Sequence, residues 1–550
     1  MTLYELTILV SAFLVFQVQP VIAKIILPWF GGSAAVWTTC LLFFQMTLLL
    51  CYLYAHALIR YVKLPRVQAL IHISFLLASV LALPIYPGAG WKPLSADDPT
   101  WRILILLVAT VGVPYGLLSS TGPLLQAWYA RRYKDRPPYR LYALSNAGSM
   151  LALISYPVLF EPVLTTNQQA WMWSGAYGLF IVLCGFAAIR SATSFPMEPA
   201  AEWERPVRPG LRLYLMWLGL PACASVLLLA ATNHLSQNVA PIPFLWVLPL
   251  SIYLLTFILC FQGNSRYRRH PYLELLAMAL SSMALVLGID MQGSVPVKIM
   301  VPLFAIGLYA CCMACHGELA CIKPHPRYLT QFYLTVSAGG ALGGILVALV
   351  APRVFNGYYE MPLGLVACGA FVVLALRQDK ELIWFKSWRQ PAPLVSLALL
   401  AGMAVYLGFQ VHHSATGARV RVRDFYGALN VRDSRPMASS GLIRVLTHGT
   451  INHGEQYLDP ARRDTPISYY GPSTGIALAI RQKQKTGTIR VGVVGLGTGT
   501  LAAYGRAGDY YRFYEINPLV VRIAESEFFF LKDSKADVQV AIGDARLSPA

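Results

Sequence analysis

Along the first 413 residues the apolar positions neither alternate nor mark one face of a helix. They run almost unbroken for about 20 residues at a time, long enough as a helix to cross a hydrocarbon core of roughly 30 Å. Thirteen such spans are predicted, over 3–22, 36–59, 67–87, 101–126, 141–160, 169–189, 213–232, 241–262, 272–289, 296–316, 329–351, 361–376 and 394–412. The first has no small-residue cleavage site after a short apolar core, so it reads as a retained helix and not as a signal peptide.

After His413 the texture changes. "RVRVRDFYGALNVRD" alternates as strands do, "GLIRVLTHGTINHGEQYLD" continues as strand and turn, and "GPSTGIALAIRQKQK" has the period of an amphipathic helix. Strand "IRVGVVG", a glycine-rich turn into a helix, strand "YRFYEI", helix "NPLVVRIAESEFFFLKD" and strand "VQVAIGD" follow. That β-α-β-α-β order is the start of a doubly wound parallel sheet. The predicted fold is therefore an α-helical multi-pass membrane domain over 1–413, followed by an incomplete α/β Rossmann-like domain over 414–550.

Composition supports the membrane assignment: 56% of the 550 residues are hydrophobic, 13% are charged, and the mean hydropathy is +0.53. The partner implied is the lipid bilayer. A net charge of +18 is of the sign that nucleic acid attracts, but 21 Lys and Arg residues lie in loops after even-numbered spans and five around the odd loops. The positive-inside rule accounts for that asymmetry, so no nucleic-acid partner is expected and the N-terminus is expected to be cytoplasmic.

Nine of the ten cysteines fall inside predicted spans and Cys321 just beyond span ten, so no disulfide framework is indicated. Cys312-Met313-Ala314-Cys315-His316 matches the short C-x-x-C-H pattern of covalent haem attachment. It lies in an apolar helix, at the end that the loop charges place in the cytoplasm, and no haem or metal is expected.

Spans one to six and seven to twelve read as a duplication, over about 1–190 and 212–377, with span 394–412 appended. Trp37 precedes Cys51 by 14 residues, as Trp246 precedes Cys260. "YGLLSSTGPLL" parallels "YACCMACHGELA", and "YALSNAGSMLALISYPVLFEP" parallels "YLTVSAGGALGGILVALVAP". A six-plus-six arrangement is that of major-facilitator transporters, whose halves enclose a midplane site. Small residues such as Gly148, Gly339 and Gly343 suit close helix packing. Polar residues at membrane depth usually face an interior. Asn233, His234 and Gln237 in "TNHLSQN", with His316 and Glu318, are therefore candidates for a ligand or proton site, or for interhelical hydrogen bonds.

"GLGTGT" follows a strand, where glycines let a backbone approach a nucleoside. Glu515 ends the next strand 20 residues after Gly495, a spacing at which a carboxylate accepts hydrogen bonds from ribose hydroxyls. Asp544, after the third strand, is placed to meet an adenine edge.

With "LPWFGGSAAVWTTCLLFFQ", "LYALSNAGS" and "TNHLSQN" in the membrane part, and "HGTINHGEQ", "YYGPSTGIALA", "GVVGLGTGTLAAYG" and "FYEINP" in the tail, the whole chain resembles the bacterial membrane-fused spermidine-synthase-like family. The resemblance implies the inner membrane, and a tail related to enzymes that bind decarboxylated S-adenosylmethionine and pass its aminopropyl group to putrescine. Carried over by position, Gly495, Gly497 and Gly499 line the nucleoside, Glu515 holds the ribose and Asp544 meets the adenine. Gln456 and Tyr470 fall on the polyamine side. Two departures stand out. Tyr470 is followed by Gly471 and Pro472 instead of His or Gln and then Glu, and no counterpart of the catalytic Asp on a fourth strand is found before Ala550, so the 550-residue chain is expected to lack turnover. An alternative is a transporter of a small amine or polyamine with a regulatory or degenerate tail; a structural membrane protein is a third. Thirteen spans with a cytoplasmic N-terminus also place the tail outside, where adenosyl cofactors are not made. Either a span is miscounted, 394–412 or 272–289 being the weakest, or the tail does not use that cofactor. No feature specifies an oligomeric state.

Overall fold

The computed structural model describes residues 3–93, 97–133, 139–193, 208–239, 241–261, 267–289, 295–325, 328–379, 382, 385, 387–435 and 441–546. Seven of the basic even-loop residues, Lys134, Arg136, Arg205, Arg266, Arg327, Lys380 and Lys386, lie outside them.

Among the described residues, thirteen helices are long and apolar enough to cross a membrane. In order they are Leu3–Phe30, Ala34–Tyr61, Pro65–Ala82, Thr100–Arg131, Ala143–Val163, Thr166–Ala192, Leu211–Asn238, Pro243–Phe261, Arg269–Ile289, Val297–Cys321, Leu329–Val354, Glu360–Gln378 and Pro391–Thr416, here spans one to thirteen. Both spans that looked weakest in the sequence are present. Span three stops short of the predicted residue 87. Pro84 and Pro87 have no amide hydrogen to donate, so the helix closes in a 3-10 turn at Ala82.

The two halves repeat each other in their packing. Span one lies along span five as span seven lies along span eleven, and spans two and four pair as eight and ten do. Between the halves, two meets eleven and eight meets five. Spans five and eleven each carry one π-helical turn, Tyr156–Phe160 and Leu346–Val350, at matching positions of the repeat. The small residues act as expected: a Cβ on Gly148 would sit 2.7 Å from the Leu9 carbonyl oxygen, and one on Gly343 2.6 Å from that of Ala222. Trp37 and Trp246, equivalent in the repeat, stack face to face across the junction, with centroids 5.1 Å apart. Both are fully buried.

The tail has two small sheets. β1 (Val420–Arg423), β2 (Ala428–Ser434), β3 (Ile443–His448) and β4 (Ile451–Tyr457) form an antiparallel meander. β5 (Arg490–Val494), β6 (Tyr510–Glu515) and β7 (Asp537–Ile542) form a parallel sheet in that order. One expectation fails here. The glycine-rich turn opens into a 3-10 helix, Thr500–Tyr504, and not an α-helix. Only five residues separate Gly499 from Gly505, too few for an α-helical crossover. The second crossover does contain an α-helix, Pro518–Glu527, capped by the Asn517 side chain accepting from Leu519 N at 2.8 Å.

Candidate functional site

The tail docks on the ends of the membrane helices that flank odd-numbered loops. Arg423 of β1 donates to both carboxylate oxygens of Glu360, at 2.8 and 3.0 Å, and to the Gly357 carbonyl at 2.6 Å. Its guanidinium also lies 4.2 Å from the Tyr358 ring centroid. Thr450, between β3 and β4, donates to Asn238 Oδ1 at the end of span seven, at 3.1 Å. Arg546 reaches the Pro28 carbonyl at the end of span one. An alternating strand thus carries the cation that pins the tail, with Arg421 on the same strand 5.3 Å from the Tyr359 ring centroid, and a turn and the segment after β7 add further contacts.

Between tail and membrane domain lies a cavity of about 530 Å³. Its membrane wall includes Thr38 and Thr39 of span two, Asn233, Ser236 and Gln237 of span seven, and Asp98. Its tail wall includes Asp424, Tyr426, His448, His453, Tyr469, Tyr470, Gly495, Gly497, Glu515 and Asn517. Residues that the sequence assigned to two separate sites therefore share one chamber. Asn233 is held there across the junction of the halves, its Oδ1 accepting from Thr38 Oγ1 at 2.6 Å.

Gly495 has φ +91°, and a Cβ built on it would meet nothing within 4 Å. The backbone is therefore bare towards the chamber, as close approach of a ligand requires. Gly497 is glycine for another reason: a Cβ there would stand 2.6 Å from the His453 carbonyl oxygen. Gly499 starts the 3-10 turn and does not line the cavity. Glu515 is 8% exposed and oriented by two backbone amides, Leu496 N on Oε2 and Asn517 N on Oε1, both at 2.9 Å. Each carboxylate oxygen keeps acceptor capacity for a hydroxyl.

Asn517 ties this carboxylate to a second one that sequence reading missed. Its side-chain amide donates to Asp424 Oδ1 at 3.3 Å, which also accepts from Tyr426 N and Gly427 N. Among the described residues neither Asp424 nor Glu515 has an ion-pair partner. Burial raises the Asp424 carboxyl to about 6 against these hydrogen bonds. The Tyr426 phenol is pushed up by burial and by the carboxylates of Asp424, Asp98, Glu515 and Asp544, a measure of how negative this corner is. His448 and His453 are held in the neutral form. Burial, with His453 adding, lowers His448 to about 4, and burial lowers His453. Their rings lie 5.6 Å apart, and both Nε2 atoms are buried without a partner among the described residues. Asp424 lay hidden inside a strand pattern; its only sequence signal was an acid closing the first strand of the tail.

Other predicted residues fall elsewhere. Asp544 does not line the cavity; Arg546 bonds its carboxylate and holds it below the ordinary range. Gln456 is fully buried, with its amide spent on Arg463 O and Phe529 N at 2.9 and 2.8 Å. Tyr470 does line the cavity, 4.5 Å from the Tyr469 ring, in a turn where Ser468 takes φ +60°. His234 turns away from the chamber towards Phe304. His316 is buried between Tyr253 and Phe257, its Nδ1 3.0 Å from Thr256 Oγ1. Glu318 accepts from Arg269 at 2.8 and 2.9 Å and from Tyr267 at 2.9 Å. It ties span ten to span nine at the end remote from the tail, and Arg269 goes on to donate to Asp379, just past span twelve, at 2.6 Å.

A scan against protein-family models gives no match, and a search of curated proteins finds none similar to the chain.

Proposed function

We propose that the chamber between the two domains is a nucleoside-and-amine site of the aminopropyltransferase type, held at the membrane by the helical domain. The observation that supports this most is the convergence in one cavity of Gly495 and Glu515 with Asp424, which has no ion-pair partner among the described residues. The three parallel strands then correspond to the first half of a doubly wound sheet, with the ligand at the carboxyl ends of its strands. In this reading Glu515 accepts from ribose hydroxyls of decarboxylated S-adenosylmethionine, while Tyr426, Tyr469 and Tyr470 with the surrounding carboxylates receive an amine. The amine nitrogen attacks the aminopropyl carbon, the carbon–sulfur bond breaks, and methylthioadenosine leaves. Asp424 takes the proton released by the nitrogen; a base near pH 6 is suited to that step at neutral pH. It fills the role for which the sequence offered no residue.

The docking side bears on orientation. The tail meets the odd-loop ends, and the basic residues cluster at the even ones, so the site faces away from the cytoplasm in a bacterial inner membrane. A cytoplasmic nucleoside would have to cross the bundle. One observation favours a transport contribution: the chamber sits over the junction of the halves, where Thr38 bonds Asn233 and Trp37 stacks on Trp246.

The test is to incubate the full chain in nanodiscs with decarboxylated S-adenosylmethionine and a set of diamines, and to seek aminopropylated products by mass spectrometry. Product that disappears in Asp424→Asn and Glu515→Ala is expected. No product above these variants would overturn the transferase reading.

A further inference from the structure

The run "CCMACH" in span ten is used by none of the chemistry above. Its last cysteine, Cys315, meets Cys223 of span seven and Cys368 of span twelve, so three helices distant in sequence each contribute one thiol to a single point. The three Sγ atoms lie within 4.8 Å of one another, with Cys315 and Cys368 3.7 Å apart. All three side chains are buried, at 4%, 0% and 0% exposure.

We propose that Cys223, Cys315 and Cys368 form a three-sulfur site for a soft monovalent cation, copper(I). The spacing fits. A cation in the plane of three sulfurs at about 2.3 Å from each sets them about 4.0 Å apart; the Cys315–Cys368 edge need lengthen only slightly from 3.7 Å, and the other two lie within 4.8 Å. The donor set fits as well. Three thiols without carboxylate or imidazole in the ring disfavour hard cations and favour soft ones. Structural zinc takes four ligands, almost always tetrahedral, whereas this ring offers three. Charge decides the rest. An uncompensated charge deep in a membrane span is costly, so entry of one monovalent cation is balanced by loss of one thiol proton, and the site stays neutral with one thiolate and two thiols. No electron is transferred, because the ion arrives as copper(I). Entry from the end remote from the tail is short: exposed Cys321 is six residues from Cys315, about 9 Å along a helix.

The experiment uses the full chain, reduced and anaerobic in detergent, titrated with copper(I) held by a chromophoric chelator. One equivalent should leave the chelator, and X-ray absorption should show three sulfur neighbours. Cys315→Ser and Cys368→Ser should each weaken uptake at least tenfold, while Cys184→Ser, a buried thiol of the other half, should not. Because a core substitution can unfold the helices, a second reading uses the parent chain. Sulfur-to-copper(I) charge-transfer absorption should grow in the near ultraviolet as the parent chain is loaded and stop at one equivalent. Copper left on the chelator, uptake undiminished in the Cys223, Cys315 and Cys368 triple serine variant, or no charge-transfer absorption on loading would each overturn the site. So would a Cys315–Cys368 disulfide formed in air by a chain that takes up no copper.

Discussion

Arg423→Met tests whether one buried ion pair governs the union of tail and membrane domain. The Arg423 and Glu360 side chains are only 3% and 5% exposed, so the substitution strands a carboxylate out of water. Breaking a buried pair from one side costs about 3–5 kcal/mol, which at 1.4 kcal/mol per factor of ten shifts docking by about a hundredfold to a few thousandfold. Thr450 on Asn238 and Arg546 on Pro28 remain, so the tail should open more often without detaching altogether. Hydrogen exchange by mass spectrometry on 28–38, 355–362 and 421–430 should accelerate, while the spans away from the interface keep their protection. Arg423→Met with Glu360→Met replaces both charges by apolar groups of comparable length and should recover most of that loss. Unchanged exchange in the single variant, or a double variant no better than the single, would refute the reasoning.

Further outcomes concern pH, topology and the remote ion pair. Asp424, raised from 3.8 to about 6, holds its proton more tightly when folded, so it lowers tail stability as pH rises from about 4 to 6. His448, lowered from 6.5 to about 4, does the reverse between about 4 and 6.5. The two contributions largely cancel, so thermal melts should show a nearly flat stability between about pH 4 and 6 in the parent, one rising with pH in Asp424→Asn, and one falling with pH in His448→Gln. In a Cys321→Ser background, single cysteines at Gln168 and Lys535 should react with an impermeant reagent in intact cells and one at Lys323 should not. Glu318→Ala should destabilise the membrane domain by about 1–3 kcal/mol, because Arg269 loses one of its two carboxylate partners while keeping Asp379 and some access to water. Nucleoside binding should be unaffected, as measured by calorimetry beside the melt.

The spans were legible because lipid demands uninterrupted apolar runs, and the tail strands because alternation follows the pleat. Where local rules compete the reading slipped, as at Pro84, which ended span three early, and after Gly499, where five residues allow only a 3-10 turn. The candidate site was half legible. Gly495 and Glu515 stand in a local pattern, but their meeting with Asn233 depends on docking through Arg423 and Glu360, 63 residues apart. No periodicity records such a contact. Asp424 was missed for the same reason: its carboxyl is raised by burial, against the hydrogen bonds from Tyr426, Gly427 and Asn517, and that burial is a tertiary effect.

The central claim, that the interdomain chamber holds a nucleoside, is tested most directly by calorimetry of methylthioadenosine with the full chain in nanodiscs. Saturable one-site binding is expected, weakened in Glu515→Ala by about 2–4 kcal/mol, the range for charged hydrogen bonds in a buried site. No heat from the parent chain, or equal heats from parent and Glu515→Ala, would contradict it.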